Sequence, residues 1–237
     1  MISYAVFSML GVAAAIYVGY ATRSLTASRI KLLPSQRLFL CLSGFVGAVF
    51  FAKLPFLILE PESLKHAGPI WASGKTILLG LAGGYLGVEL AKKYLNIKTR
   101  TGDSFVVSVA VGIGVGRLGC FFSSCCYGTP TELFLGVVFP AADSLPRHPI
   151  QIYECCFHLL AAAMAYYCLV HERGVGQLMT LYLLAYFLFR FLTEFIRPEI
   201  SLWLGLSFYQ WAIVFLWPCF FWEWRRTAKH GANPSNR

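Results

Sequence analysis

Charge is what this sequence has least of. Only 13% of its 237 residues are Asp, Glu, Lys or Arg, and only 11 are acidic. Soluble domains carry about 25% charged residues, so roughly half the usual complement is missing. A water-soluble chain needs polar side chains to cover its outside, and this composition cannot supply them. That excludes a soluble enzyme on a single membrane anchor. A disordered chain is excluded too, because it requires low hydrophobicity. There is no internal repeat, no low-complexity segment and no stretch polar enough for a separate soluble domain. The eight cysteines are not spaced like a small disulfide scaffold, and most fall in apolar runs, where a free thiol behaves as a small hydrophobe.

What is present is apolar: 57% of residues are hydrophobic, 16% are aromatic, and the mean hydropathy is +0.63. With lipid as solvent a helix can be apolar all round, so the expected class is an all-α, polytopic integral membrane protein in one membrane domain, 1–237. Crossing a bilayer takes about 20 apolar residues. Seven segments qualify, at about 2–21, 37–59, 76–91, 104–122, 150–170, 176–196 and 202–224, the third short and Gly-rich. The first has neither a basic region before it nor a small-residue cleavage site after it, so it reads as a retained span.

The net charge of +9 would suggest a nucleic-acid partner in a soluble protein, but here its placement decides. Arg23, Arg29, Lys31, Arg37, Lys92, Lys93, Lys98, Arg100, Arg173, Arg225, Arg226, Lys229 and Arg237 fall in one set of alternate loops and the tail. The other loops hold Lys65, Lys75, Arg147 and Arg197. The positive-inside rule then puts the N-terminus outside and the C-terminus in the cytoplasm. The charge is a topology signal, and no nucleic acid is implied. The longest connection, 123–148 on the outer side, is long enough to suggest function, and its "LFLGVVFP" stretch suits the membrane surface.

Ionisable residues inside a span cost about 2.5–3.5 kcal/mol each, so each needs a reason. Lys53, Glu89, Arg117, Glu154, Arg190 and Glu194 are such residues. At 1.5 Å per residue, Arg117 and Arg190 lie about 20 Å above the cytoplasmic edge, and Glu154 about 8 Å below the outer one. All three share one level in the outer half of the bilayer. Helical periodicity puts Tyr186, Arg190, Glu194 and Arg197 on one stripe and Gln151, Glu154, Cys155 and His158 on another. Two readings stand: Arg190–Glu194 and Arg117–Glu154 pairs that only hold helices together, or two guanidinium groups that grip a phosphate. Glu89 suits a local pair with Lys92 or Lys93, and Lys53, before Pro55, suits either an acid partner or the phosphate site.

Two strings carry further information: "GIGVGRLGCFFSSCCYGTPT" at 112–131 and "PRHPIQIYE" at 146–154. Gly112, Gly114, Gly116 and Gly119 permit close approach of a backbone or a lipid to Arg117. With "GVVFP" at 136–140 and "YFLFRFLTEFIR" at 186–197, and more weakly Gly83, Gly84, Gly87 and "GLSFYQ" at 205–210, the chain resembles the prolipoprotein diacylglyceryl transferase family from about residue 40 to 224.

That resemblance implies an enzyme of the bacterial plasma (inner) membrane with its site toward the outer leaflet. The implied reaction moves the diacylglyceryl group of phosphatidylglycerol to the lipobox cysteine thiol of a prolipoprotein, presented by its signal-peptide region. No metal or soluble cofactor is implied. Arg117 and Arg190 match the family's essential arginines and would hold the donor phosphate. Arg147, His148, Gln151, Tyr153 and Glu154 match its signature string, and Tyr186, Glu194, Arg197, Gly119 and Gly128 its other site positions. The attacking thiol must lose a proton, for which His148 and Glu154 are the candidate bases; His148 serves equally well as a residue that fixes the start of a span.

The match is broken at Ala82, where the family pattern has His, at Cys120, Ser123 and Cys125, where it has Asn, Asn and Glu, and at Thr129, where it has Arg. Two other readings follow: a paralogue that cleaves a phospholipid but serves a different acceptor, with Cys125 or Cys126 as a possible nucleophile, and a non-enzymatic lipid-binding or transport protein. Against the latter, the charges gather at one level instead of forming a path across the membrane. Cys125 and Cys126 also admit oxidation, Cys155 and Cys156 suit a helix core, and no histidine spacing points to zinc.

Overall fold

The computed structural model describes residues 2–27, 30–59 and 76–231. Arg29, Lys65, Lys75 and Arg237 of the loop-charge reading lie outside the described residues, as does the connection 60–75. The chain is mostly helical: α1 (Ile2–Ala21), α2 (Arg23–Ala27), α3 (Pro34–Leu59), α4 (Ile77–Tyr94), α5 (Val106–Phe122), α6 (Ile150–Val170), α7 (Leu178–Thr193) and α8 (Phe208–Gly231). Among the described residues four helices are long and apolar enough to cross a membrane, over Ser3–Ala21, Pro34–Phe56, Ile150–Val170 and Leu178–Ile196, and α5 is a shorter apolar helix. It is a membrane protein by these helices.

The chain divides into two compact units, Met1–Ile30 with Arg100–Arg237, and Lys31–Thr99. In the smaller unit α3 and α4 pack through glycine, with Gly83 of α4 against Gly47 and Phe51 of α3. At the α4 C-terminus Lys92 donates to Glu89 at 2.8 Å, the local pair expected for that acid. Lys53 is buried within α3.

In the larger unit α5 is the central helix, packing on α1 on one side and α6 on another. Glycine sets both contacts. A Cβ on Gly11 of α1 would sit 2.7 Å from the Gly112 carbonyl, and one on Gly119 would sit 2.8 Å from Phe7 Cβ. Membrane helices associate by close backbone approach because lipid supplies no hydrophobic drive between them. Gly114 receives Leu159 of α6, and only Gly116 of the four α5 glycines has nothing within 4 Å of its Cβ position. Gly112, Gly114 and Gly119 therefore serve helix packing. Of the two approaches expected at these glycines, that of a backbone and that of a lipid, the packing contacts supply the first.

The largest change at a helix start is in the last helix. The last helix starts at Phe208, six residues later than expected, because Leu204 (φ 54°) and Gly205 (φ 71°) turn left-handed and a Ser201–Ser207 bridge closes that turn. Ser207 then caps α8: Gln210 N donates to Ser207 Oγ at 3.3 Å, and Ser207 N donates to Gln210 Oε1 at 2.9 Å. This reciprocal pair is a capping box. At the other end of the unit, Asp103 accepts from Gly176 N at 2.5 Å and from Leu178 N at 3.1 Å. A buried carboxylate from a distant turn thus neutralises the exposed amides that begin α7.

The 123–148 connection is ordered by a two-stranded antiparallel ribbon, β1 (Val137–Val138) and β2 (Pro146–Arg147), extended by a Pro130–Arg147 bridge. Its tip bares Leu133, Phe134 and Leu135, with Phe134 92% exposed. Its base is tied to the end of α7, since Thr129 N donates to the Ile196 carbonyl at 2.9 Å.

Candidate active site

Apolar helices of the larger unit converge five charged side chains. Arg117 of α5 pairs through Nε with Glu154 of α6, whose other carboxylate oxygen accepts from Arg197 Nη2 at 2.5 Å. Arg190 of α7 pairs with Glu194 one turn on, and Arg197 Nε lies 4.0 Å from the same Glu194 oxygen. Arg197, just past the 3₁₀ turn that ends α7, therefore links the two pairs. The side chains of Glu154 and Glu194 are 0% and 1% exposed, and those of Arg117, Arg190 and Arg197 no more than 10%. Arg117, Arg190 and Glu154 thus belong to one continuous network.

The pairs that a purely structural network would make are thus present, but they do not balance. Three guanidinium groups face two carboxylates, so the buried centre carries one excess positive charge. Glu199 feels these charges: partial burial of its carboxyl and the proximity of Glu194 hold its pKa above the ordinary carboxylate value. Each guanidinium has five N–H donors, and a carboxylate partner occupies at most two, so Arg117 and Arg190 keep donors for another anion.

Supporting residues fix this geometry. Ser207 Oγ, the cap of α8, donates to Glu194 Oε1 at 2.6 Å, and Gln210 Nε2 donates to the Phe191 carbonyl at 3.3 Å. The Tyr209 ring lies under Arg190, 5.3 Å from centroid to guanidinium carbon, within cation–π range. Ser207, Tyr209 and Gln210 were missed as site residues; the S-x-x-Q string before an apolar run was their available signal. Fully buried Gln151 donates to the Cys125 carbonyl at 2.5 Å and so holds the turn after α5. Fully buried His158 meets Tyr182 Oη at 2.9 Å through Nδ1. Among the described residues, Tyr186 Oη, Gln151 Oε1 and His158 Nε2 are buried without a hydrogen-bond partner. Such atoms usually mark a bound water or ligand.

The remaining sequence-derived residues lie in the ribbon and its base. Arg147 chelates Asp143 through Nε and Nη2, donates to the Gly128 carbonyl at 3.2 Å and covers the Tyr127 ring. All its visible contacts are within the loop, so it acts here as a staple. Gly128 is closed in: a Cβ there would lie 2.7 Å from both His148 Cβ and the Ile196 carbonyl. His148 Nδ1 is 3.3 Å from Tyr153 Oη, which orients the ring and leaves the second ring nitrogen to other partners. Both Glu154 carboxylate oxygens face arginines, Oε2 that of Arg117 and Oε1 that of Arg197.

Buried guanidinium groups in excess of carboxylates, gathered among apolar helices, mark a polar centre inside a helical membrane protein. The comparisons narrow that class. A model described as prolipoprotein diacylglyceryl transferase matches residues 1–223, and the chain belongs to this family of transferases. It is similar to a phosphatidylglycerol--prolipoprotein diacylglyceryl transferase of Clostridium tetani, 35% identical over 66% of this chain and 66% of that protein. Proteins of the same name from Polynucleobacter necessarius (36% identical; 74% of this chain, 71% of that one) and Pseudoalteromonas atlantica (29%; 82% and 70%) are also similar. The alignments span about two thirds of the length of these relatives.

Proposed function

We propose that this protein moves the diacylglyceryl group of phosphatidylglycerol to the lipobox cysteine of a prolipoprotein, in the plasma membrane of a bacterium. On this reading seven helices span the bilayer, the N-terminus is outside and the C-terminus cytoplasmic. The active site then lies toward the outer leaflet, with the apolar tip at Leu133–Leu135 on the membrane surface. One observation carries the reading: three buried guanidinium groups against two carboxylates. The single excess charge matches the single negative charge of a phosphodiester.

Arg117 and Arg190 bind the donor phosphate, and Glu154, Glu194 and Arg197 orient them. The acceptor sulfur attacks the glyceryl carbon, the carbon–oxygen bond to phosphate breaks, and glycerol phosphate leaves with the bonding electrons. Charge grows on the departing phosphate, and fixed guanidinium groups in a dry site stabilise it without having to reorganise. The thiol proton passes to a base on the outer side, for which His148, oriented by Tyr153, is the residue best placed. Tyr186 and Gln151 offer their unpartnered polar atoms to the glycerol hydroxyls or phosphate.

The test is complementation of a transferase-depleted bacterium, read as lipidation of a lipobox protein. The wild-type chain restores lipidation. Arg117→Ala and Arg190→Ala insert normally and restore none; full activity in either variant would remove the phosphate assignment.

A further inference from the structure

The turn after α5 gathers three thiols that the mechanism above does not use. Cys120 is buried on the last turn of α5, Cys125 is half-buried, and Cys126 is exposed. All three are free, and their sulfur atoms lie within 4.8 Å of one another. Sequence spacing gave no hint of this, because positions 120, 125 and 126 fit no ordinary metal-binding string. The fold brings them together by reversing the chain sharply: Ser124 (φ 49°) and Cys126 (φ 60°) both take left-handed backbone conformations without being glycine. Such conformations cost about 1–3 kcal/mol each and persist only where the surroundings enforce them. Here fully buried Gln151 pins the Cys125 carbonyl, and Cys125 N and Sγ both donate to the Cys120 carbonyl, at 3.1 and 3.5 Å. The cluster sits beside the anion site, with Arg117 Nη1 3.9 Å from Cys120 Sγ.

We propose that Cys120, Cys125 and Cys126 form a three-thiolate site for one thiophilic divalent cation, zinc being the type, with the fourth position left for the acceptor thiol. Zinc–sulfur bonds of about 2.3 Å in a tetrahedron place sulfurs about 3.8 Å apart, so the cluster needs to contract by no more than about 1 Å. Soft thiolates select such a metal over calcium or magnesium. Binding releases three protons. Among the described residues no His, Asp or Glu joins the group. Three protein ligands with one open position is the arrangement of catalytic zinc, whereas structural zinc is closed by four.

The role of the fourth position rests on the transferase reading; the metal site itself does not. A lipobox thiol that coordinates there gives up its proton to solvent and is held as thiolate, the nucleophile the reaction needs. Its sulfur then forms the bond to the glyceryl carbon as the phosphate oxygen departs, and the neutral thioether, a poorer ligand, is released. Two of the three cysteines, Cys120 and Cys125, occupy positions where the chain departs from the family string.

The experiment uses the full chain in detergent, reduced and reconstituted with zinc, then with cobalt. About one zinc per chain is expected, with X-ray absorption reporting three sulfurs at about 2.3 Å and cobalt giving intense sulfur-to-metal charge-transfer absorption. Cys120→Ser, Cys125→Ser and Cys126→Ser should each weaken binding by about tenfold or more, whereas Cys156→Ser, on the exposed side of α6, keeps it. A short lipobox peptide should raise the sulfur count from three to four, and the same peptide with Ser for Cys should leave it at three.

Zinc below about one tenth per chain after reduction, or unchanged content in a Cys125→Ser/Cys126→Ser double variant, overturns the site. So does a disulfide among the three thiols in metal-free protein taken from the membrane. A sulfur count that stays at three while the peptide is still lipidated overturns the acceptor role. Zinc bound normally with no turnover of phosphatidylglycerol strikes the transferase reading and leaves the site standing.

Discussion

Arg197 decides whether the excess charge or merely the presence of arginine matters for the donor. Its substitution by Gln removes the third guanidinium and makes the buried centre neutral, leaving the Arg117–Glu154 and Arg190–Glu194 pairs intact. Glu154 loses a 2.5 Å bond to a charged donor but keeps Arg117. The stability loss therefore falls below the 3–5 kcal/mol of a buried acid left wholly alone, at about 1.5–3 kcal/mol for one charged hydrogen bond. The effect on the donor is electrostatic. One unit charge about 6 Å from a phosphodiester, at an effective dielectric of about 20, is worth about 3 kcal/mol, or roughly a hundredfold in affinity. In mixed micelles with phosphatidylglycerol and a lipobox peptide, Arg197→Gln should raise the KM for lipid by about ten- to a hundredfold and change kcat less. Glu154→Gln is the contrast, because it adds a net charge but frees Arg117 from its positioning carboxylate; kcat should fall with donor KM unchanged or lower. An Arg197→Gln protein that is folded and inserted and has wild-type KM would refute the charge argument.

The same imbalance predicts ligand-linked stability. Holding one cation without a matching anion is destabilising until a phosphodiester arrives, so the thermal midpoint should rise with phosphatidylglycerol in the micelle and not with phosphatidylcholine; Arg197→Gln should blunt the difference. Asp103→Ala strips the cap from α7 and should cost about 1–2 kcal/mol, seen as a lower midpoint, with donor KM unaltered in the folded fraction. The hydrogen bond from Arg147 holds the Asp143 carboxyl below its ordinary pKa. The folded value is thus lower than the unfolded one, so the staple is fully formed above the ordinary carboxylate range and is lost as pH falls through the depressed value. Amide exchange in residues 128–147 should accelerate only in acid, and Asp143→Asn should abolish that pH dependence.

Membrane class and the polar centre could be read early because both depend on composition and helical period. A charge inside an apolar run is conspicuous, and spacings of three and four put Tyr186, Arg190, Glu194 and Arg197 on one face before any contact was known. What the period could not supply is partner choice. Arg197 lies one residue past the 3₁₀ turn that follows α7 and reads as a loop cation, yet its bond to Glu154 spans 43 positions in the chain. The same holds for Asp103, whose partners at Gly176 and Leu178 are more than seventy residues away. The α5 glycines left two readings open. Small residues beside an arginine admit either a neighbouring backbone or a lipid, and only the packed helices decide between the two. At Gly112 and Gly119 α1 fills the space, while at Gly116 it stays open.

The thiol cluster was hidden for a related reason. Metal strings are recognised by spacings that suit regular turns, and Cys120, Cys125 and Cys126 reach one another only through two left-handed residues and a buried glutamine from another helix. Gln151 thereby connects the two halves of the proposed chemistry. It lies on the α6 face that carries Glu154, so the helix that sets Arg117 for the phosphate also sets the turn that carries the thiols. A shift of α6 along its axis would displace both together, and donor and acceptor groups would keep their relative position. Replacing Gln151 by Leu, which fills a similar volume but cannot hold the Cys125 carbonyl, should separate them: the arginine network persists, and the turn relaxes. The expected outcome is metal binding weakened about as much as by loss of a supporting hydrogen bond, roughly ten- to a hundredfold, while donor-dependent stabilisation, which loses only the Gln151 contact to the lipid, falls less. Equal loss of both would mean that Gln151 acts on the helix as a whole and not on the turn.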